Sequence, residues 1–351
     1  MQLAQHKNEF ALSVVSNGPR RMQAQSVYTL GGYRAGSLGR PLQTFAQCAT
    51  LLDISLSRGL IMGLSFSQLH PLFAAEASPV DLRHAYDAGQ LAEIRAAMNQ
   101  YAVLVFRDQP FTDAEQLAFA QRLDGTLHAK TGAAVLSKNR LGNEALADIS
   151  NVDESGALLQ SGDRRRMYAL GNRLWHTDAS FQDPPGRYSM LSARVVPPVD
   201  ADTEFADLRA AYDALDAPAK LKLESLRVHH SIAYSRQTLG FEFSRDEEEQ
   251  LRGAVHPLVR SIPSSSRRSL YLASHASHIV DWPVPEGRLL LRDLIEHATR
   301  RAFVYRHAWR VGDLVIWDNR CTMHRARPFD DAKYRRELRR VTTLDIAPVS
   351  P

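Results

Sequence analysis

The chain has 351 residues, with 43 Lys plus Arg against 39 Asp plus Glu, 44% hydrophobic and 8% aromatic side chains. That is enough to bury a sizeable core, and it is far from the composition of a disordered or collagenous chain. Cys48 and Cys321 are the only cysteines and lie far apart, which excludes a disulfide framework or a cysteine zinc site and points to a reducing cytoplasm. The formal charge of +4 resides in residues 1 to 61, which hold six basic and two acidic side chains; the body beyond is neutral and offers no electrostatic reason to expect nucleic acid.

Residues 1 to 61 are rich in Ser, Gln and Gly and lack a sustained periodic pattern. They read as an extension, disordered or the product of a start placed too early, with residues 62 to 351 as the folded domain and Met62 as its natural start. No stretch reads as a membrane span. From Leu82 the apolar spacing predicts a helix that leads into a strand over Tyr101 to Phe106. Thr112 followed by Glu115 forms a capping-box pattern ahead of a second helix. Strands are predicted over Ala147 to Val152 and Tyr188 to Val196, helices over Ala206 to Leu215 and Ala217 to Leu226, and a strand over Ser269 to Ala273. A helix over Leu289 to Thr299 precedes strands at Phe303 to Trp309, Leu314 to Trp317 and Glu337 to Leu344, with a Val311-Gly312-Asp313 turn between the first two. Short strands joined by turns, with helices inserted, favour a mainly β barrel or sandwich with flanking helices over a doubly wound sheet. The phosphate-loop, dinucleotide and nucleophile-elbow patterns are absent.

Three segments carry chemistry. In Trp175-His176-Thr177-Asp178, an extended backbone would send His176 and Asp178 to one face, where both reach a single metal ion. Alone the pair is a weak signal, since a chain with 13 His holds about one such pair by chance. His324 follows an apolar strand far downstream and supplies a second imidazole. Two imidazoles and one carboxylate on one face of an octahedral ion leave positions open, as non-haem Fe(II) enzymes require. The third segment, Arg335-Arg336-Glu337-Leu338-Arg339-Arg340, sets Arg335 and Arg339 on one face of a strand and Arg336 and Arg340 on the other. A buried arginine pair without acidic partners would clamp an acidic ligand.

WHTDASF, the stretch Asp202 to Leu215, GDLVIWDNRCTMHRA and RRELRRVTT, in that order, resemble the taurine dioxygenase family of Fe(II)/2-oxoglutarate oxygenases, and within it the 2,4-dichlorophenoxyacetate dioxygenase group. The similarity runs from about residue 66 to the C-terminus. It implies a double-stranded β-helix, the cupin-like jelly roll, with Fe(II) held by His176, Asp178 and His324. It also implies that 2-oxoglutarate is held by Arg335, eleven residues after His324, with help from Thr203, and that Arg336, Arg339 and Ser180 serve the substrate carboxylate. The activity implied is oxidation of a small carboxylic acid with O2. A phenoxyacetate would be cleaved to a phenol and glyoxylate, with succinate and CO2 released. Asp200-Ala201 and Leu123-Asp124-Gly125 depart from the family pattern and bear on substrate fit. A sulfonate, an alkyl sulfate, a phenoxypropionate or a cinnamate-like acid remain alternative substrates, and a homo-oligomer remains open. From another class, a cupin-like binding module or a zinc hydrolase could use His275 and His278, although these two read as structural.

Overall fold

A computed structural model describes residues 63–85, 87–129 and 140–346. The expectations for residues 1 to 61, and for a start at Met62, fall outside these residues.

Two β-sheets form the frame. The larger has seven strands in the order Phe66–Gln68, Ala75–Ala77, Val103–Phe106, Leu314–Asp318, Gly186–Val195, Glu337–Leu344, Leu146–Ser150. The smaller has Val304–His307, Thr203–Asp207 and Thr322–Ala326. All these pairings are antiparallel except that of Ala75–Ala77 with Val103–Phe106. With its flanking helices this is the mainly β, jelly-roll architecture that the strand and helix pattern leads one to expect.

Two central strands of the large sheet are apolar on both faces, and the packing shows why. Val103, Val105, Val315, Trp317, Leu191 and Leu338 join Phe205 of the small sheet in one core. Leu104, Phe106, Leu314, Ile316 and Met190 pack on the opposite side with Ile94, Met98 and Phe119 of the helices Ala88–Tyr101 and Asp113–Asp124. A strand buried on both faces loses the polar alternation of a half-exposed one, so it reads as a continuous apolar run. The predicted capping box closes on both sides: Glu115 N–H donates to Thr112 Oγ1 and Thr112 N–H to Glu115 Oε2.

Several boundaries move. The helix predicted from Leu82 splits into a short 3-10 turn, Leu82–His84, and the helix Ala88–Tyr101 capped by Asp87. Ala206 and Asp207, predicted helical, close the strand Thr203–Asp207; the helix Leu208–Asp213 starts only where the Asp207 carboxylate accepts from Arg209 and Ala210 N–H. Helix-forming side chains here yield to pairing on both edges, with Val304–His307 and Thr322–Ala326. The turn at Gly312 has φ +85°, a conformation that costs glycine little, and it feeds the strand Leu314–Asp318.

Candidate metal and cosubstrate site

His176 and His324 meet through their backbones. Each donates its N–H to the other's carbonyl, at 3.0 and 2.8 Å, in a one-residue antiparallel bridge. Their rings stand 4.1 Å apart. His324 lies on the strand Thr322–Ala326, while His176 precedes a turn in which Ala179 has φ +53°. Thr177 between the two ligand candidates points the other way and donates its hydroxyl to Leu272 C=O at 2.8 Å, which pins the segment so that His176 and Asp178 share a side.

Asp178 Oδ1 lies 3.9 Å from His176 Nε2, and Oδ2 lies 3.7 Å from His324 Nε2. Among the described residues these three form the one cluster with metal-ligand spacing, all within 4.8 Å of one another and all buried. His176 Nδ1 faces Leu174 C=O at 2.8 Å, a contact that assigns the proton to Nδ1 and leaves Nε2 with its lone pair toward Asp178. Burial holds His176 down at about 4, and burial together with the adjacent His176 ring holds His324 well below its ordinary value. Both imidazoles are therefore neutral at pH 7, the form that binds a metal. Burial alone would raise Asp178, yet the Arg340 guanidinium and the two rings bring it down to about 2, so the carboxylate is charged. Two neutral imidazoles and a carboxylate suit a divalent transition ion with sites left open.

The carboxylate is oriented by a buried chain. Arg340 Nη1 donates to Asp178 Oδ1 at 2.5 Å, and Ser189 Oγ donates to Oδ2 at 2.8 Å. Asn319 Nδ2 donates to that Ser189 hydroxyl, while its Oδ1 accepts from Asp178 N–H and Trp317 Nε1. Such partners set ligand direction and basicity. Arg340, Ser189 and Asn319 escaped the sequence reading; Arg340 alone had a visible signal, its place on the same face as Arg336.

A small cavity opens beside the triad, lined by His176, His324, Thr203, Trp317, Arg336 and Arg340 together with Ile149, Asn172, Leu191 and Ala326. Thr203 Oγ1 accepts from Trp309 Nε1 at 3.0 Å, which leaves the threonine proton available to a ligand. The arginine run divides as alternation requires, but the expected assignment of its faces needs correction. Arg335 is half-exposed and paired with Glu337, outside the cavity. Arg339 is buried on that same outer face, with Asp148 at 2.9 Å and Glu337 at 3.2 Å, so it too lies away from the site. Arg336 takes the cavity position: it is buried, no carboxylate pairs with it, and burial lowers it to about 10 against only the distant pull of Asp202. The register is the cause, because Glu337 on the outer face draws its two neighbours at i±2 outward with it. Ser180 is buried but turns to His230 Nδ1 at 3.1 Å and does not line the cavity. His275 and His278 contact Ser235 and Ser277; the His275 ring packs edge-on against that of His176 at 5.9 Å, but neither histidine belongs to the ligand cluster.

A jelly roll carrying this His-Asp-His face is the architecture of 2-oxoglutarate-dependent dioxygenases, and the comparisons with known proteins agree. Residues 65–342 match the taurine catabolism dioxygenase TauD, TfdA family. The chain belongs to that family and is a 2-oxoglutarate-dependent dioxygenase. It is 47% identical over 289 residues, 82% of this chain and all of the relative, to an alpha-ketoglutarate-dependent 2,4-dichlorophenoxyacetate dioxygenase of Cupriavidus pinatubonensis. It is 37% identical over 271 residues, 75% of this chain and 88% of the relative, to an (S)-phenoxypropionate/alpha-ketoglutarate dioxygenase of Sphingobium herbicidovorans. The crystal structure of AAD-2 in complex with Mn(II) and N-oxalylglycine superposes with a TM-score of 0.78 at 45% identity, covering 82% of this chain and all of that one. Among the described residues no helix is long and apolar enough to cross a membrane.

Proposed function

We propose that this dioxygenase oxidises an aryloxyacetic acid of the 2,4-dichlorophenoxyacetate type, releasing a phenol and glyoxylate while 2-oxoglutarate becomes succinate and CO2. His176, Asp178 and His324 would hold Fe(II). Bound there, the iron supplies the redox chemistry that couples O2 and 2-oxoglutarate to oxidation of the substrate carbon. The observation that carries the reading is Arg336, a buried guanidinium without a carboxylate partner, in the same cavity as the triad and Thr203. One end of a dicarboxylate is met by that bidentate cation and the Thr203 hydroxyl, and the other end lies toward the ligand face. Trp309 fixes the threonine rotamer through its N–H, so Thr203 donates in a set direction.

Asp178 keeps its orientation through Arg340, Ser189 and Asn319, and the buried walls exclude bulk water from the reacting carbon. The substrate class follows from the relatives named above: two act on aryloxyalkanoic acids, and the one at 47% identity is matched over its whole length. We place the enzyme in the cytoplasm, where its buried free thiol Cys321 stays reduced.

The test is oxygen uptake with Fe(II), 2-oxoglutarate and a panel of phenoxyacetates, phenoxypropionates, cinnamates and sulfonates, scored against succinate and phenol. Equal succinate and phenol from a phenoxyacetate is the expected result. Succinate coupled only to a sulfonate or a cinnamate would replace the substrate class, and no coupled turnover of any acid would refute the reading.

A further inference from the structure

The strand Glu337–Leu344 pairs with Leu146–Ser150 on one edge and with Gly186–Val195 on the other, and both pairings end at Glu337. Arg336 stands one residue beyond that end, so the regular ladder does not fix its direction. Its guanidinium is buried without a carboxylate partner, so no ion pair aims the side chain either. The backbone has to aim it.

One side chain takes over where the ladder stops. Asn151 follows Ser150, the strand partner of Glu337, and is buried. Its Oδ1 accepts from Arg336 N–H at 2.8 Å, and its Nδ2 donates to the carbonyls of Asp331 and Tyr334, both at 2.8 Å. Its own N–H donates to Arg336 C=O at 3.3 Å. A primary amide offers an acceptor and two donors at once, and only one orientation of the amide satisfies these three partners. The segment from Asp331 to Arg336 is thereby closed around Asn151. Its far end is anchored a second time, because the Asp331 carboxylate bridges Arg166 at 2.7 Å and Arg173 at 3.0 Å. Asn151, Asp331 and both of these arginines line a second cavity, which shares Arg336 and Asn172 with the one beside the triad.

We propose that Asn151 is a positioning residue for the cosubstrate: it holds the backbone of residues 331 to 336 so that Arg336, and not Arg335, turns into the cavity with its guanidinium already in place. Asn151 does not line the cavity beside the triad, so it acts through Arg336. The inference rests on the dioxygenase reading above, in which Arg336 meets a carboxylate of 2-oxoglutarate. Any freedom left in that backbone would have to be given up on binding, and affinity would fall accordingly.

The test measures binding of N-oxalylglycine, a 2-oxoglutarate analogue, to the Mn(II)-loaded protein by calorimetry, so that no turnover is needed. Asn151→Ala should raise its Kd about tenfold, while affinity for Mn(II) alone should match wild type. In the Arg336→Met background the same substitution should change Kd by no more than about twofold, since a residue that acts through Arg336 then has nothing to act on. Where Asn151→Ala does not fold, Asn151→Asp takes its place with the same expectations: it keeps the acceptor for Arg336 N–H and the size of the side chain but sets a carboxylate against two carbonyls. A Kd within about twofold of wild type overturns the inference. So does a tenfold effect that persists on top of Arg336→Met, or failure of both variants to fold, either of which makes Asn151 a general structural residue. In all these outcomes a weakened Arg336→Met leaves the dioxygenase reading standing. If Arg336→Met itself binds N-oxalylglycine as wild type does, the role of Arg336 falls and this inference with it.

Discussion

Six consecutive residues, Arg335 to Arg340, hold two kinds of arginine back to back. On the outer face Arg335 and Arg339 share Glu337, and Arg339 adds Asp148, which Arg140 also reaches. On the inner face Arg340 is bound to a carboxylate that also belongs to the metal triad, and Arg336 is bound to none. The outer set is neutralised within the protein and contributes to the fold. On the inner face only Arg336 is left to be neutralised by what fills the site. What separates a structural arginine from a ligand-binding one here is its counter-charge, since Arg336 and Arg339 are both buried.

The contrast can be broken experimentally. The largest effect should come from the triad: His176→Ala should lower both 2-oxoglutarate consumption and substrate loss at least about a thousandfold, because one metal ligand is lost while the outer network is untouched. Succinate and phenol assays read this, and turnover near wild type would remove His176 from the metal site. Next, Arg336→Met should raise KM for 2-oxoglutarate about a hundredfold, with a small change in melting temperature, as expected of a cation whose partner is the ligand. Arg339→Met should do the reverse. It leaves Asp148 and Glu337 with their other arginines, so a loss of about 1 to 3 kcal/mol in denaturant unfolding is expected, with KM for 2-oxoglutarate little changed. The smallest effect belongs to Arg335→Met, about 0.5 kcal/mol or less for a half-exposed pair and no more than about a twofold change in KM. A large KM effect there, with none at Arg336, would reverse the assignment of the two faces.

Much of the frame is legible in the residues themselves. The Thr112 capping box, the Gly312 turn and the strand Glu337–Leu344 stand where local patterns place them, because a hydroxyl three residues before a glutamate, a glycine able to take positive φ and a β-rich run act over a few residues. The strand Thr203–Asp207 was hidden because its helical composition is overruled by two neighbours distant in sequence. Ser189 and Asn319 around Asp178 were invisible for a similar reason: each is an ordinary polar residue until folding brings it beside Asp178 on another segment.

The sequence by itself determined the ligand types, the alternation that sorts four arginines into two pairs, and the dioxygenase family to which they belong. Only the tertiary structure decided which pair faces the cavity. Alternation is a property of one strand, whereas inside and outside depend on what packs against each face: Glu337, Asp148 and Arg140 on one side, Thr203, Trp317 and His324 on the other.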